Sequence, residues 1–254
     1  MNNKVNPWML ATIFLFGAIL GFFGGRMTTS PTTLAYNPAL VADGTVGAAQ
    51  GGTANTVTAP PTTLQTTPSN DYSKVTKSTD SDGHFALGNK DAKVKIVEFG
   101  DFQCPFCYRY FISDFAQILK EYVVTGKVYY SFHNYPLNIH PQAPKAAEAA
   151  LCAADQDKYW EYHDLLFENQ NLWSGNDNDV QVFSTIAQGA GLDGAKLAQC
   201  ITSGKYTDTV NKDIAAGDKK GISGTPTIFI NDQKVVGAQD YYTIKQTIEE
   251  ELAK

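Results

Sequence analysis

The stretch from Val94 to Cys107, VKIVEFGDFQCPFC, constrains the fold of this chain more than any other part of its sequence. It opens with β-branched and aromatic residues, as a strand does, and passes through Gly100-Asp101 before it reaches two cysteines. Apolar residues then recur at helical spacing, which predicts a helix with one apolar face, formed by Phe111, Phe115, Ile118 and Tyr122. The sequence therefore places Cys104 and Cys107 at a strand-to-helix junction.

This position predicts that the two cysteines differ chemically. The first turn of a helix carries unpaired backbone N–H groups and the positive end of the helix dipole, so a thiolate there is stabilised. Cysteines in Cys-X-X-Cys pairs accordingly have pKa values well below the ordinary value of about 8.5. Pro105 suits the start of the helix because it has no N–H to leave unpaired. We expect Cys104 to be the exposed, reactive sulfur and Cys107 to be its shielded partner.

A Cys-X-X-Cys pair alone has other interpretations. It can supply half of a zinc site, with Cys152, Cys200 or a histidine completing the set, or it can form a local structural disulfide. A second motif, GISGTPTIFI from Gly221 to Ile230, favours redox catalysis. Its proline comes directly before a short β-branched strand, so it lies at a strand start or a bulge, where a cis bond is one option.

Three blocks, taken together, resemble the DsbA-like thiol:disulfide oxidoreductases of the thioredoxin superfamily. They are Glu98–Cys107, Trp160–Phe167 and Ser223–Thr227, and the resemblance extends from about Phe85 to Leu252. It implies an α/β thioredoxin fold. A helical domain inserted at about 142–219 agrees with the helical spacing and the alanine-rich composition of that stretch.

The resemblance also implies roles for single residues. The family carries a buried acidic proton acceptor six positions before its first cysteine, where this chain has Glu98; a strand carboxylate facing solvent is the alternative. The predicted catalytic residues are therefore Cys104, Cys107 and Glu98. The family's cis threonine–proline bond faces the active-site disulfide, so the predicted substrate-binding residues are Thr225, Pro226, Pro105 and Phe106.

The sequence leaves the strength and direction of the redox reaction open. The best-known oxidants of the group have histidine where this chain has Phe106, so one positive partner of the thiolate is missing. Phe102, Phe106 and Tyr108 fit either an apolar rim for unfolded peptide or ordinary core packing. We expect a protein that forms disulfides in exported proteins with free thiols, without a bound cofactor. The resemblance implies that a quinone-linked membrane oxidase reoxidises it. A reductase or isomerase, or a non-catalytic peptide- or metal-binding module, is the alternative.

The N-terminal part predicts a location outside the cytoplasm. Residues 8–25 are apolar and uncharged and are long enough to span a bilayer, so residues 1–26 are interpreted as an uncleaved membrane anchor; a cleaved signal peptide is the alternative. Residues 27–82 are rich in Thr, Ser, Pro, Ala and Gly and are predicted to be a flexible linker, which leaves 83–254 as the folded domain. The catalytic domain of this single-pass protein is predicted on the extracytoplasmic side.

Two further cysteines lie in the predicted helical insertion. An oxidising exterior favours a structural disulfide between Cys152 and Cys200, with two buried free thiols as the alternative. No metal site is predicted, because His133, His140 and His163 lack ligand spacing. A net charge of −6 without a basic stripe gives no reason to expect binding of nucleic acid.

Overall fold

The computed structural model describes residues 63–254. The expected anchor and most of the expected linker lie outside the described residues. Among those that are described, no helix combines the length and the apolar character needed to cross a membrane.

A six-stranded mixed sheet carries the strand-to-helix junction at which Cys104 and Cys107 lie. Its strands are β1 (Lys77–Thr79), β2 (Phe85–Gly88), β3 (Val94–Gly100), β4 (Val128–Asn134), β5 (Thr227–Ile230) and β6 (Gln233–Val236). The strand order is β1-β2-β4-β3-β5-β6. β3 pairs in parallel with β4 and antiparallel with β5, so the strand that leads to the cysteines lies inside the sheet. The helix that follows the cysteines therefore connects two parallel strands.

The helix after the cysteines begins as α1 (Pro105–Tyr110) and continues through a π-helical segment (Phe111–Phe115), α2 (Ala116–Ile118) and a second π-helical segment (Leu119–Val123). The predicted apolar face is buried, since each of its four residues is at most 3% exposed. The remaining helices are α3 (Ala143–Ala154), α4 (Tyr159–Glu168), α5 (Gln170–Trp173), α6 (Asp179–Gly189), α7 (Gly194–Thr202), α8 (Thr207–Lys219) and α9 (Tyr241–Ala253).

Helices α3 to α8 separate β4 from β5 in the sequence, so the predicted thioredoxin-like α/β fold with a helical insertion is confirmed. Buried alanines line α3, and their small side chains let α4 and α7 approach it closely. α8 contacts β4, and α9 contacts β3 and β5. Asp240 caps α9, because its carboxylate accepts a hydrogen bond from the Thr243 N–H at 3.1 Å.

The predicted boundary between linker and domain at residue 83 is too late. Tyr72 and Val75 are buried, and β1 pairs with β2. The hydroxyl of Tyr72 also donates to Asp164 Oδ1 in α4, at 2.6 Å. Because this stretch is rich in Thr and Ser, its composition did not indicate that Tyr72 and Val75 are part of the core.

Candidate active site

The strand-to-helix junction forms as the sequence predicts. Cys104 is the N-cap of α1, with an extended backbone (φ −73°, ψ 124°), and Pro105 begins the helix. The chain leaves β3 at Gly100, where an added Cβ would lie 2.4 Å from the Phe132 ring. Only glycine allows the strand end to come this close to β4, so the local sequence sets the position from which the cysteine loop starts.

The surroundings of Cys104 favour its thiolate. A hydrogen bond with the Cys107 thiol is the largest influence, and it outweighs the cost of burial. The Thr225 side chain and the backbone N–H groups of Cys107 and Phe106 add to it, so the pKa of Cys104 falls to about 6. The Thr225 hydroxyl is buried and has no hydrogen-bond partner among the described residues, which leaves it available to a charged sulfur.

The prediction that Cys104 is exposed is wrong, since the residue is only 2% exposed. Its thiol donates to the Thr225 carbonyl at 3.4 Å, which covers the sulfur from the side of the sheet. Pro105 and Phe106 are the exposed residues of the motif instead, and Phe106 is 53% exposed.

Cys107 lies one turn further into the helix and is fully buried. Burial raises the pKa of its thiol well above the ordinary value, and the Cys104 sulfur and Glu98 raise it further. The backbone N–H of Asp101 donates to its sulfur at 3.4 Å. Both cysteines are free thiols, and at neutral pH only Cys104 readily forms a thiolate.

Glu98 lies on β3 and is buried, which is the environment of a proton acceptor rather than that of a solvent-facing carboxylate. Desolvation raises the pKa of its carboxyl to about 8, even though the Tyr130 hydroxyl donates a hydrogen bond to it. The negative charge of a Cys104 thiolate and that of Asp114 act in the same direction as burial. The carboxyl thus titrates at a pH where thiol chemistry takes place.

Thr225 and Pro226 are joined by a cis peptide bond directly before β5. The structure brings Thr225 against Cys104, whereas Pro105 and Phe106 form the outer edge of the site. Of the three aromatic residues around the cysteines, Phe102 packs in the core against Phe132 and Phe167, and Tyr108 is partly buried against the same core. Phe106 alone is exposed, so the core interpretation does not hold for it.

Sequence reasoning missed the side chains that hold the cysteine loop. The Asp101 carboxylate accepts from the Gln103 and Leu137 N–H groups and pairs with His140 Nδ1 at 2.7 Å. Gln170, in α5 of the insertion, donates to the carbonyls of Phe102 at 2.6 Å and Cys104 at 3.3 Å. Asp101 has a signal in the sequence, since it directly follows a predicted strand. Gln170 has none, because its role depends on how the insertion folds back.

The other two cysteines lie in the insertion, where a disulfide joins Cys152 of α3 to Cys200 of α7. Cys152 is buried, and Cys200 is partly buried. The bridge fastens two helices of the insertion to each other and is not part of the catalytic junction.

One group of side chains within residues 63–254 has the composition of a metal site: Asp80, His84 and His133, whose donor atoms lie within 4.8 Å of one another. The two imidazoles, however, stack face to face with ring centroids 3.5 Å apart, so their lone pairs do not converge on one point. Despite burial, hydrogen bonds with Asp213 and Asp80 raise the pKa of His84 to about 9. This geometry is that of an ion-pair network between the sheet and α8.

Comparisons with known proteins agree with this fold. A family model described as Thioredoxin matches residues 80–250. Disulfide bond formation protein D of Bacillus subtilis is 33% identical over 175 residues, which cover 67% of this chain and 78% of that protein. The crystal structure of oxidised BdbD from Bacillus subtilis superposes with a TM-score of 0.58 at 31% identity and covers 66% of this chain and 92% of that one. Wolbachia pipientis alpha-DsbA1 superposes with a TM-score of 0.60 at 25% identity, with coverage of 66% and 90%.

The fold and the paired thiols at its strand-to-helix junction define a thiol:disulfide oxidoreductase. The chain belongs to the thioredoxin superfamily and, within it, to the DsbA-like proteins.

Proposed function

We propose that this protein forms disulfides in exported proteins by thiol–disulfide exchange through Cys104 and Cys107. A substrate thiolate attacks the sulfur of Cys104 in the oxidised enzyme, the bond between the two cysteines breaks, and Cys107 leaves. A second substrate thiolate then attacks the substrate sulfur of the mixed disulfide. Cys104 leaves as a thiolate, the substrate has lost two electrons, and the enzyme holds a reduced pair.

The observation that carries this proposal is the difference in pKa between the two thiols, lowered to about 6 at Cys104 and raised at Cys107. Cys104 is the better leaving group, because a thiol of lower pKa leaves faster. Relative to an ordinary thiol, its ionisation stabilises the reduced enzyme by about 1.4 kcal/mol near neutral pH, which corresponds to about 30 mV. This favours oxidation of substrates, but it is a modest contribution.

Glu98 is proposed as the proton carrier for Cys107. A buried thiolate at Cys107 is costly, so the departing sulfur must take up a proton quickly. The carboxyl of Glu98, whose pKa is raised to about 8, is mostly protonated near neutral pH and can supply that proton. In the reverse step, in which Cys107 attacks a mixed disulfide, ionised Glu98 accepts the proton.

Substrate binding is assigned to Thr225, Pro226, Pro105 and Phe106. An extended peptide lying beside Thr225 would add its main-chain hydrogen bonds to the edge that precedes β5, a mode that tolerates many sequences. The exposed ring of Phe106 offers an apolar contact for unfolded clients. Arg109 lies over this ring at 5.3 Å and donates to the Ala238 carbonyl, which holds the edge in place.

The cellular setting is part of the same proposal. Residues 1–26 would anchor the chain in the membrane through 8–25, and a linker would hold the catalytic domain on the extracytoplasmic side. The linker would end near Tyr72, earlier than the sequence predicted. Reoxidation would pass to a quinone-linked membrane oxidase, and the exchange reaction itself requires no bound cofactor.

The deciding experiment is the reduction potential of the Cys104–Cys107 pair, measured at equilibrium with glutathione. We expect a value clearly above that of thioredoxin, about −270 mV, together with oxidation of a reduced, unfolded client. A value at or below that of thioredoxin would assign the same residues to a reductase. A purified protein with bound zinc and no titratable dithiol would instead indicate a metal-binding module.

A further inference from the structure

We propose that Gln170 of the helical insertion is a positioning residue for the catalytic thiol. Its side-chain amide holds the carbonyls on both sides of the Gln103–Cys104 segment and so keeps the Cys104 sulfur beside the N–H groups at the start of α1. The insertion would thereby tune the chemistry of the thioredoxin fold. This inference rests on the proposed role of Cys104 as the reacting sulfur.

The contacts of Gln170 are specific to the loop that carries the thiol. Its Nε2 donates to the Phe102 carbonyl at 2.6 Å and to the Cys104 carbonyl at 3.3 Å. These carbonyls are two residues apart, so one amide fixes the backbone rotation of Gln103 and Cys104 between them. The Cys104 carbonyl also accepts the first helical hydrogen bond, from the Tyr108 N–H at 3.0 Å.

The backbone rotation of Cys104 decides which donors its sulfur meets. As the N-cap of α1, Cys104 has an extended conformation, and no side chain caps the helix. The backbone N–H groups of Phe106 and Cys107 stabilise the thiolate only while the sulfur points back along the helix start. Without the Gln170 amide, only the Tyr108 N–H holds the Cys104 carbonyl, so the N-cap residue can rotate more freely and the thiolate then loses part of this stabilisation.

Gln170 is itself held by rigid neighbours. Asn169 is fully buried, accepts from the Gln65 N–H at 2.7 Å and donates to the carbonyls of Gln65 and Leu165. The Trp173 indole, also fully buried, donates to the Leu166 carbonyl at 2.8 Å. A short helix fixed on both sides in this way presents the Gln170 side chain from a rigid position, which is the requirement for a positioning residue.

Gln103 provides a matched control at the same junction. Its amide donates to Gln142 Oε1 at 2.7 Å and to Ser174 Oγ at 3.0 Å, and its carbonyl oxygen accepts from the Gln142 N–H. It therefore joins the loop to the insertion side of the molecule without touching a carbonyl of Phe102 or Cys104. General loosening of the junction should follow from changes at either glutamine, whereas a direct effect on the thiol should follow from Gln170 alone.

The test compares Gln170→Met, Gln170→Glu and Gln103→Met in the full chain. Methionine keeps the length of glutamine but has no donor, and ionised glutamate replaces the donor with a negative charge. The pKa of Cys104 is read from the ultraviolet absorbance of the thiolate in the reduced protein, and the reduction potential is measured with glutathione. The melting temperature of each variant monitors the fold.

We expect Gln170→Met to raise the Cys104 pKa so that the thiol becomes about three- to tenfold weaker as an acid, and Gln170→Glu to raise it further. A tenfold change would lower the potential by about 30 mV. Gln103→Met should leave the pKa of Cys104 unchanged even if the protein melts earlier. An unchanged pKa in Gln170→Met, or an equal shift in Gln103→Met, overturns the inference. An ordinary cysteine pKa in the unaltered protein would count against the proposed function itself.

Discussion

The two cysteine pairs of this protein occupy opposite kinds of environment. Cys104 and Cys107 lie three residues apart at a helix start, as free thiols with unequal pKa values. Cys152 and Cys200 join two helices of the insertion across a sequence separation of 48 residues. The surroundings of the first pair favour a charged sulfur at Cys104 and a neutral one at Cys107, and the second pair is bonded into a scaffold.

The difference shows that the backbone around a cysteine decides its chemistry. A short-range pair closes almost no loop, so its disulfide constrains the unfolded chain little, and its redox state is free to serve a reaction. A pair 48 residues apart restricts the unfolded chain strongly and gains stability by staying oxidised. Substitutions in the first pair should therefore change activity, and substitutions in the second should change stability.

The largest effect is expected at Cys104. Cys104→Ser should lower exchange activity at least a thousandfold, because the attacked sulfur is gone. Cys107→Ser should also stop turnover, but it should accumulate mixed disulfides between Cys104 and clients, since the resolving thiol is missing. Non-reducing electrophoresis after mixing with an unfolded client that carries a disulfide measures this, because the Cys104 thiolate attacks that disulfide and releases one client sulfur as a thiolate. Equal trapping by both variants would mean that the two roles are wrongly assigned.

The second effect concerns the insertion. Replacing Cys152 and Cys200 together by serine should lower the free energy of unfolding by about 2–4 kcal/mol, because the unfolded chain regains the entropy that the bridge removes. Exchange activity at a temperature where the variant is folded should change little. Urea unfolding under non-reducing conditions, with the unaltered protein as the control, gives the difference. A variant that keeps its stability but loses its activity would show that the Cys152–Cys200 bridge serves the reaction and not the stability of the fold.

The local sequence predicts the region of Cys104 and Cys107, but it does not predict the long-range contacts around that region. The strand, the Cys-X-X-Cys pair and the Thr225-Pro226 motif are short patterns whose geometry follows from neighbouring residues, so they were predictable. Gln170 and His84 reach residues 66 and 129 positions away, respectively, and depend on how the insertion packs. Tyr72 was missed because its linker-like surroundings conceal a single buried ring. The covered state of Cys104 likewise depends on Thr225, which is distant in sequence.

The third prediction concerns Glu98 and separates proton transfer from stability. The pKa of its carboxyl is raised from 4.5 to about 8. Between these two pH values the carboxyl is mostly protonated in the folded protein and mostly ionised in the unfolded chain. It therefore destabilises the fold progressively as pH rises from the lower value to the higher one. Glu98→Gln removes that cost and should raise the melting temperature near neutral pH.

The same variant should slow the attack of Cys107 on mixed disulfides. In the unaltered protein this step should accelerate as pH rises through about 8, where Glu98 becomes able to accept a proton. In Glu98→Gln that acceleration should disappear, and the step should be about ten- to a hundredfold slower above this pH. Single-turnover release of a trapped client measures it. An unchanged pH profile would make Glu98 a buried carboxyl without a catalytic role.

The smallest effect is expected at Phe106, where an added positive charge should act on one cysteine pair and not on the other. In Phe106→His, a protonated imidazole near Cys104 should lower the pKa of that thiol below about 6 and raise the reduction potential. Because residue 106 is 53% exposed, solvent screens the charge, so the shift should stay under about one pH unit, or about 30 mV. Added salt should reduce it further.

Phe106→Gln is the matched control, since it makes the position polar without a charge. If the pKa of Cys104 falls equally in both variants, loss of the apolar phenyl ring is responsible, and the charge argument fails. The rate at which dithiothreitol reduces Cys152–Cys200 should be the same in all three proteins, because that bridge lies in the insertion, away from the helix start. A change at Phe106 that altered both pairs would mean that it had disturbed the packing of the whole domain, and the two environments would then not be independent.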